Sequence, residues 1–296
     1  MMKKIFILAC VLFLSISINA QSLLWKVSGN GLKSPSYIFG THHLAPLSIL
    51  DKVSGFKDAF NSTTQVVGEL NMKDAQSPES VKKMQEKMFI TNDTTAQILF
   101  NDKELETINA FLKANMGFDL SQAPKIKPAF VSMVAAVFLA TKALPGYNPK
   151  EQLDGYFQTK GEESGKKVLA LETMEFQRDL LYDSQSLQRQ ARLLVCVLSD
   201  TTKEIINVKE LTEAYYSFDL EKMDQLSKEK QGTSCDPQPG ENELMIDNRN
   251  KDWAAKLPAI MKEAPSFIAV GALHLPGKAG LINLLRKQGF KVEPVK

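Results

Sequence analysis

Four short runs in this chain are apolar almost without interruption: Ser36-Tyr37-Ile38-Phe39-Gly40, Gln65-Val66-Val67-Gly68-Glu69-Leu70, Lys167-Val168-Leu169-Ala170-Leu171-Glu172 and Ser266-Phe267-Ile268-Ala269-Val270-Gly271. A strand with one wet face alternates apolar and polar residues, whereas a strand covered on both faces does not need to. Leu24-Trp25-Lys26-Val27-Ser28, joined to the first run through the turn pair Asn30-Gly31, and Phe290-Lys291-Val292-Glu293 read as two further strands. Between the runs, apolar spacing near 3.6 residues or a proline or acidic start predicts helices over Pro78 to Phe89, Asp102 to Met116, Pro128 to Lys142, Pro149 to Lys160, Thr173 to Ser199, Val208 to Lys230, Glu241 to Glu263 and Lys278 to Gln288. Strands separated by helices predict an α/β fold, a mainly parallel central sheet covered by helices on both faces. The stretches 78 to 160 and 173 to 263 exceed simple crossovers and predict a helical cap. Ala129 to Ala140, apolar nearly all round, predicts a buried core helix.

The chain has 296 residues, 44% hydrophobic and 24% charged, a globular balance that excludes disorder, collagen-like repeats and a polytopic membrane protein. Met1 to Lys4 is basic, Ile5 to Ile18 is apolar and Asn19-Ala20-Gln21 ends on a small residue before a polar one, the order of a secretory signal peptide over residues 1–20. The apolar run is shorter than the roughly 20 residues of a spanning helix, so no integral membrane span is expected after its removal. Residues 21–296 are then read as a single domain of an exported protein, periplasmic or extracellular. Without Lys3 and Lys4 the 36 basic residues become 34, equal to the 34 acidic ones, so the body lacks the positive footprint of a nucleic-acid binder.

Removal of the leader leaves two cysteines, Cys196 and Cys235, in a compartment where disulfides persist. A bridge between them is expected. The bland alternative is a buried thiol at Cys196, inside Leu193-Leu194-Val195-Cys196-Val197-Leu198.

The three histidines fall in two echoing places, Gly40-Thr41-His42-His43-Leu44 and Gly271-Ala272-Leu273-His274-Leu275. Each follows an apolar strand that ends in a glycine three residues before a histidine. In a parallel sheet this puts His43 and His274 at carboxyl-terminal strand ends, where α/β folds place their sites. The other two core runs deliver Glu69 and Glu172. Two imidazoles and two carboxylates on one sheet edge make a plausible ligand set for zinc, manganese or cobalt with a position left for water. His42 points away from its neighbour on an extended segment and is left as a support, a substrate contact or an exposed residue. Arg249 and Asn250 precede the last core strand, and Arg249 reads either as a solvated arginine or as a clamp on developing oxyanion charge. No His-Glu-x-x-His and no Gly-x-Ser-x-Gly occurs, and Gly271 to Lys278 lacks the spacing and hydroxyl of a phosphate loop.

These residues, in this order, resemble the TraB/PrgY/GumN family, which is related to the Tiki proteases and more distantly to erythromycin esterase and the haem-binding ChaN proteins. Leu24-Trp25-Lys26-Val27 and Gly40-Thr41-His42-His43 look like its first Gly-x-x-His segment, and Val67-Gly68-Glu69-Leu70 like the acidic strand that follows. Lys127-Pro128, Gln152-Leu153-Asp154-Gly155-Tyr156-Phe157, and Leu171-Glu172-Thr173 with Gln177 beyond look like its middle blocks. Arg249-Asn250 with Trp253, and Gly271-Ala272-Leu273-His274-Leu275-Pro276-Gly277, look like its closing pair. The family usually has an aliphatic residue where His42 stands. The resemblance implies an erythromycin esterase/ChaN-like fold and, for the Tiki branch, a metal-dependent hydrolase of peptide-like substrates.

The combined reading is an exported hydrolase whose ion is held by His43, Glu69 and His274. Glu172 is a fourth ligand or the base, and Arg249 with Asn250 completes the catalytic set. Its cofactor is a divalent transition metal and its partner a peptide or small-molecule substrate. The alternative is an envelope protein that binds a peptide or haem without turnover, with His42, His43, His274 or Tyr37 as the haem's axial ligand.

Overall fold

The computed structural model describes residues 21–296, so the expected signal peptide lies outside the described residues. Six strands, β1 (Leu24–Gly29), β2 (Ser36–Thr41), β3 (Gln65–Gly68), β4 (Lys167–Ala170), β5 (Ser266–Gly271) and β6 (Phe290–Pro294), form one sheet in the order β4-β3-β5-β2-β1-β6. The neighbours β4/β3, β3/β5 and β5/β2 are parallel, and β1 runs antiparallel to both β2 and β6. The parallel core is the part the apolar runs mark out. β1 runs antiparallel to β2 because the connection over 30–35, opened by Asn30 and Gly31 at positive φ, is too short for the crossover that a parallel neighbour needs.

Register decides which helix covers which face. Phe39 pairs with Ala269 and Tyr37 with Phe267, so these side chains share one face. Phe56 and Phe60 of the helix Phe56–Asn61 and Phe157 of the helix Leu153–Glu163 pack on them, with ring centroids 5.0 to 6.2 Å from Phe39 or Phe267. The opposite face carries Ile38, Ile268 and Gln65, and Gln65 donates to the Ile260 carbonyl of the helix Asn248–Glu263. Helices thus lie on both faces. β4 is the exception to the reading of four doubly covered strands: it ends the sheet, its Lys167 and Ala170 are exposed, and its Val168 and Leu169 are half-buried.

The helical stretches build a cap with its own apolar core, centred on Ile108, Leu112, Val131, Ala135 and Leu194. Pro128–Ala143 belongs to this cap, and it is buried along one stripe only. Val137 is 47% exposed, because the cap is too thin to enclose the helix all round. Two of the long predicted helices are each broken in two. Thr173 to Ser199 divides into Met174–Asp183 and Leu187–Ser199, where Ser186 caps the second by accepting from the Arg189 amide. Val208 to Lys230 is covered by Thr201–Tyr216 and Leu220–Ser227, which are separated at Phe218, a residue in the left-handed region at φ 62°. The helix foreseen from Pro149 begins at Leu153, whereas the one foreseen over Glu241 to Glu263 starts where expected, passes through a π-helical turn over Glu243–Asp247 and continues as Asn248–Glu263.

Cys196 and Cys235 are joined by a disulfide with a Cα separation of 5.9 Å, so Cys196 is not a free core thiol. The bridge pins an exposed strap to the cap. Buried Arg189 ties the same strap by donating to the carbonyls of Ser234 and Asp236 and to the Glu241 carboxylate.

Candidate active site at the carboxyl edge of the sheet

β2 and β5 end side by side, Thr41 opposite Gly271, so the two Gly-x-x-His segments leave the sheet together as their echo suggests. The approach is close. A Cβ on Gly40 would stand 3.1 Å from the Ala272 Cα, and one on Gly271 would stand 3.3 Å from Glu69 Oε1. Glycine at 271 therefore lets its own amide donate to that oxygen at 2.8 Å. Glu69 follows the last residue of β3, and the β3/β4 ladder runs on past both strands, the Glu172 amide donating to the Glu69 carbonyl. The two carboxylates are carried to the same edge by this pairing.

Arg249 joins them. It sits in the first turn of Asn248–Glu263, directly after the π-helical turn, and all five of its N–H directions are used. Nε donates to Glu172 Oε1 at 2.8 Å, and Nη2 donates to Glu172 Oε2 at 2.8 Å and Glu69 Oε2 at 2.7 Å. Nη1 donates to the Met245 carbonyl at 3.1 Å and stands 3.2 Å from His274 Nε2. Gln177 bridges the two glutamates, and the Trp253 indole donates to Glu172 Oε1 at 2.9 Å while its ring lies under both Arg249 and His274. Glu172 thus accepts two hydrogen bonds on each oxygen. The ligand and base roles expected of it both require a lone pair that this network already occupies.

His274 is buried in a single 3₁₀ turn after β5. Its Nδ1 lies 2.7 Å from Asn250 Oδ1, and Asn250 spends its own N–H groups on the His274 and Ala279 carbonyls. The amide orientation therefore puts the proton on Nδ1 and leaves Nε2 as a lone pair facing Arg249, with Glu69 Oε1 3.9 Å away. Burial first, and the Arg249 charge second, bring the imidazole down to about 4 against the pull of Glu69, so it is neutral at pH 7. For Glu69, burial pushes the carboxyl up, but His274, Arg249 and the Gly271 amide outweigh it and hold the group below the ordinary carboxylate range.

His42 and His43 take different partners, although the segment they share is a turn closed by the Ala45 amide on the His42 carbonyl and not the extended stretch expected. His42 tucks under the cap against Tyr215, ring centroids 5.1 Å apart, with Nε2 3.2 Å from Thr212 Oγ1, and burial lowers it to about 4. The His43 side chain is 73% exposed, with Nδ1 3.5 Å from Asp154 Oδ2. That carboxylate raises the ring above its ordinary value. Asp154, Gln177 and Trp253 occur in the family-like blocks, yet nothing in their spacing announces a contact with this site. Thr41, whose hydroxyl donates to Asp154 Oδ1, carries no signal either.

The test of a metal here is chemical. His274 offers a neutral imidazole with its second nitrogen fixed by an amide, and Glu69 offers a carboxylate beside it, both donor types a divalent transition ion takes. The third donor, His43, stands on the exposed loop, held toward Asp154. Among the described residues no three His, Cys, Asp or Glu side chains are already gathered into a ligand set. The Arg249 guanidinium fills the space between Glu69, Glu172 and His274 instead. The donor types suit an ion, but the one Nε2 lone pair of His274 accepts from Arg249 and the third donor stands at the rim, so Arg249 Nη1 would have to withdraw for an ion to be held.

Among the described residues no helix is long and apolar enough to cross a membrane. The chain is similar to metalloprotease TIKI2 of Danio rerio, with 22% identity over 328 aligned residues that cover 93% of this chain and 61% of the relative. It therefore spans about three-fifths of that protein's length. No solved structure matches. The sequence pattern of the TraB/PrgY/gumN family matches residues 23–294, from the first buried residues before β1 to the end of β6, and the chain belongs to that family.

Proposed function

We propose that this protein is an exported, metal-dependent hydrolase of peptide-like amide bonds, built on an erythromycin esterase/ChaN-like architecture. The observation that carries the reading is the Glu69–His274 pair. A neutral imidazole with its Nδ1–H anchored on Asn250 and its Nε2 lone pair accepting from Arg249, with a Glu69 oxygen 3.9 Å from that nitrogen, sits at the carboxyl edge of the sheet. The similarity to a metalloprotease supports the reaction class.

His43, Glu69 and His274 would hold the ion, manganese, cobalt or zinc. When bound, it would bring the pKa of its water toward about 7 and so supply hydroxide at neutral pH. The remaining work falls to this chain's own groups. Of the two glutamates, Glu69 is the one that reaches solvent and keeps an uncommitted lone pair on Oε1, so it is the carboxylate we assign to the ion. Glu172 holds Arg249 rather than touching substrate. Arg249 stabilises oxyanion charge through Nη1, whose bond to a neutral ring is more readily exchanged for substrate than its bonds to carboxylates. Asn250 fixes the His274 tautomer.

Metal content and digestion of a peptide library, with manganese, cobalt and zinc supplied in turn, test the reading. His43→Ala, Glu69→Ala and His274→Ala are expected to lose metal and cleavage together, and exported protein is expected to begin at Gln21 by intact mass. Equal metal in wild type and His43→Ala, or no cleavage with any of the three ions, overturns the hydrolase. A Soret band on adding haem to such an inactive protein would point to the binding reading instead.

A further inference from the structure

The two strand-end imidazoles are supported by one device used twice, and its second copy singles out Asp154. His274 has Asn250 behind its Nδ1. His43 has Asp154, which lies 111 positions further along the chain in the first turn of Leu153–Glu163, where a helix N-terminus favours negative charge. Thr41 fixes one oxygen, Oδ1, at 2.9 Å. The other, Oδ2, is the one buried side-chain polar atom among the described residues that has no hydrogen-bond partner.

A buried acceptor is left open rarely, and here the group facing it is the His43 Nδ1 at 3.5 Å. The carboxylate is anchored and 15% exposed, whereas the imidazole is 73% exposed and free to turn. A movement of about half an ångström brings the pair to a charge-assisted hydrogen bond of about 2.9 Å. The unequal choice of partner also has a reason. Asn250 is fully buried next to Arg249, whose single positive charge already faces two carboxylates, and a third carboxylate there would be an uncompensated buried charge. The partners of Asp154, the Thr41 hydroxyl and the His43 ring, include no carboxylate.

We propose that Asp154 is the positioning residue of His43: its Oδ2 accepts the Nδ1–H, sets the tautomer, and leaves Nε2 as the atom presented to the site. The claim rests on His43 being a site residue in the proposed function, but its test needs neither metal nor substrate. In ¹⁵N-labelled protein about 2 pH units above the ordinary imidazole pKa of 6.5, two-bond ¹H–¹⁵N spectra report each histidine's tautomer. Three histidines make the assignment short, with His43→Gln identifying its own signals. The expected result is Nδ1–H at His43 in wild type and loss of that pattern in Asp154→Ala, with His42 and His274 unchanged. A further expectation is a drop of about 10-fold to 100-fold in cobalt affinity.

Wild-type His43 protonated on Nε2 overturns the proposal without recourse to any variant. So does an Asp154→Ala protein whose His43 pattern matches wild type, or one in which all three histidines shift, since Asp154 would then act on the fold at large. If the tautomer follows Asp154 while no metal binds and no peptide is cut, the positioning role stands and the hydrolase reading falls alone.

Discussion

Arg249 and Glu172 meet through two parallel hydrogen bonds of 2.8 Å, Nε to Oε1 and Nη2 to Oε2, across 77 residues of sequence. The fork-to-carboxylate fit is specific to arginine, and both partners are buried, so the pair is shielded from solvent and salt. It ties the helix Asn248–Glu263 to the segment after β4, and through Nη2 and Gln177 it draws in Glu69 from the segment after β3. A site assembled from four chain segments is thereby held by one side chain.

Arg249→Lys keeps the charge but loses the fork. Both carboxylates are left short of donors, and the expected cost is about 3–5 kcal/mol of folding stability, read from urea unfolding, with turnover down by roughly 10²-fold or more. A variant as stable as wild type would show that the network is not what holds this edge together.

Gly271→Ala asks for a smaller change. The added methyl would press on Glu69 Oε1 from 3.3 Å and approach His274 Cδ2 at 3.5 Å. Because the backbone at Gly271 has an ordinary negative φ, the strain falls on the carboxylate and not on the chain. The expected result is metal affinity or turnover lowered by about 10-fold to 100-fold with stability changed by about 1 kcal/mol, measured by titration calorimetry and urea unfolding on the same protein.

The bridge between Cys196 and Cys235 closes 39 positions of chain, for which the chain-entropy treatment gives about 4 kcal/mol. Both cysteines are expected to resist iodoacetamide in denaturant until a reductant is added. The Cys196→Ser/Cys235→Ser double variant is expected to unfold about 2–4 kcal/mol earlier, with the strap around Ser234 first to exchange its amides.

The Arg189–Glu241 pair sets a pH signature. The Arg189 hydrogen bond first of all holds the Glu241 carboxyl below its ordinary value of 4.5. The folded protein therefore binds this proton less readily than the unfolded chain, so its contribution is complete above about pH 4.5 and fades as pH falls through the lowered folded value. Glu241→Gln is expected to cost about 2 kcal/mol at pH 7 and progressively less below pH 4, in matched urea titrations across that range.

The uninterrupted apolar runs were enough to locate β2, β3 and β5, because burial on both faces of a sheet leaves a record in every residue of the run, whereas β4 carries the same pattern at a half-covered edge. The two Gly-x-x-His segments were legible for a related reason: glycine is required where β2 and β5 end against Ala272 and Glu69, and the histidines follow at a fixed distance. The helix breaks near Ser184 and Phe218 left weaker traces. A single cap serine or one residue at φ 62° interrupts a helix without disturbing its apolar spacing.

What the residues determined by themselves was therefore which groups arrive at the carboxyl edge, since strand length, glycine placement and apolar pattern are local properties. Which partners those groups take was decided by the tertiary structure. Glu172 is saturated by Arg249, Trp253 and Gln177, His274 is fixed by Asn250, and His43 faces Asp154, each pairing made across 5 to 111 positions of chain. Hydrogen bonds and ion pairs act over a few ångströms of space, so a sequence names the donors and acceptors while only the folded chain selects among them.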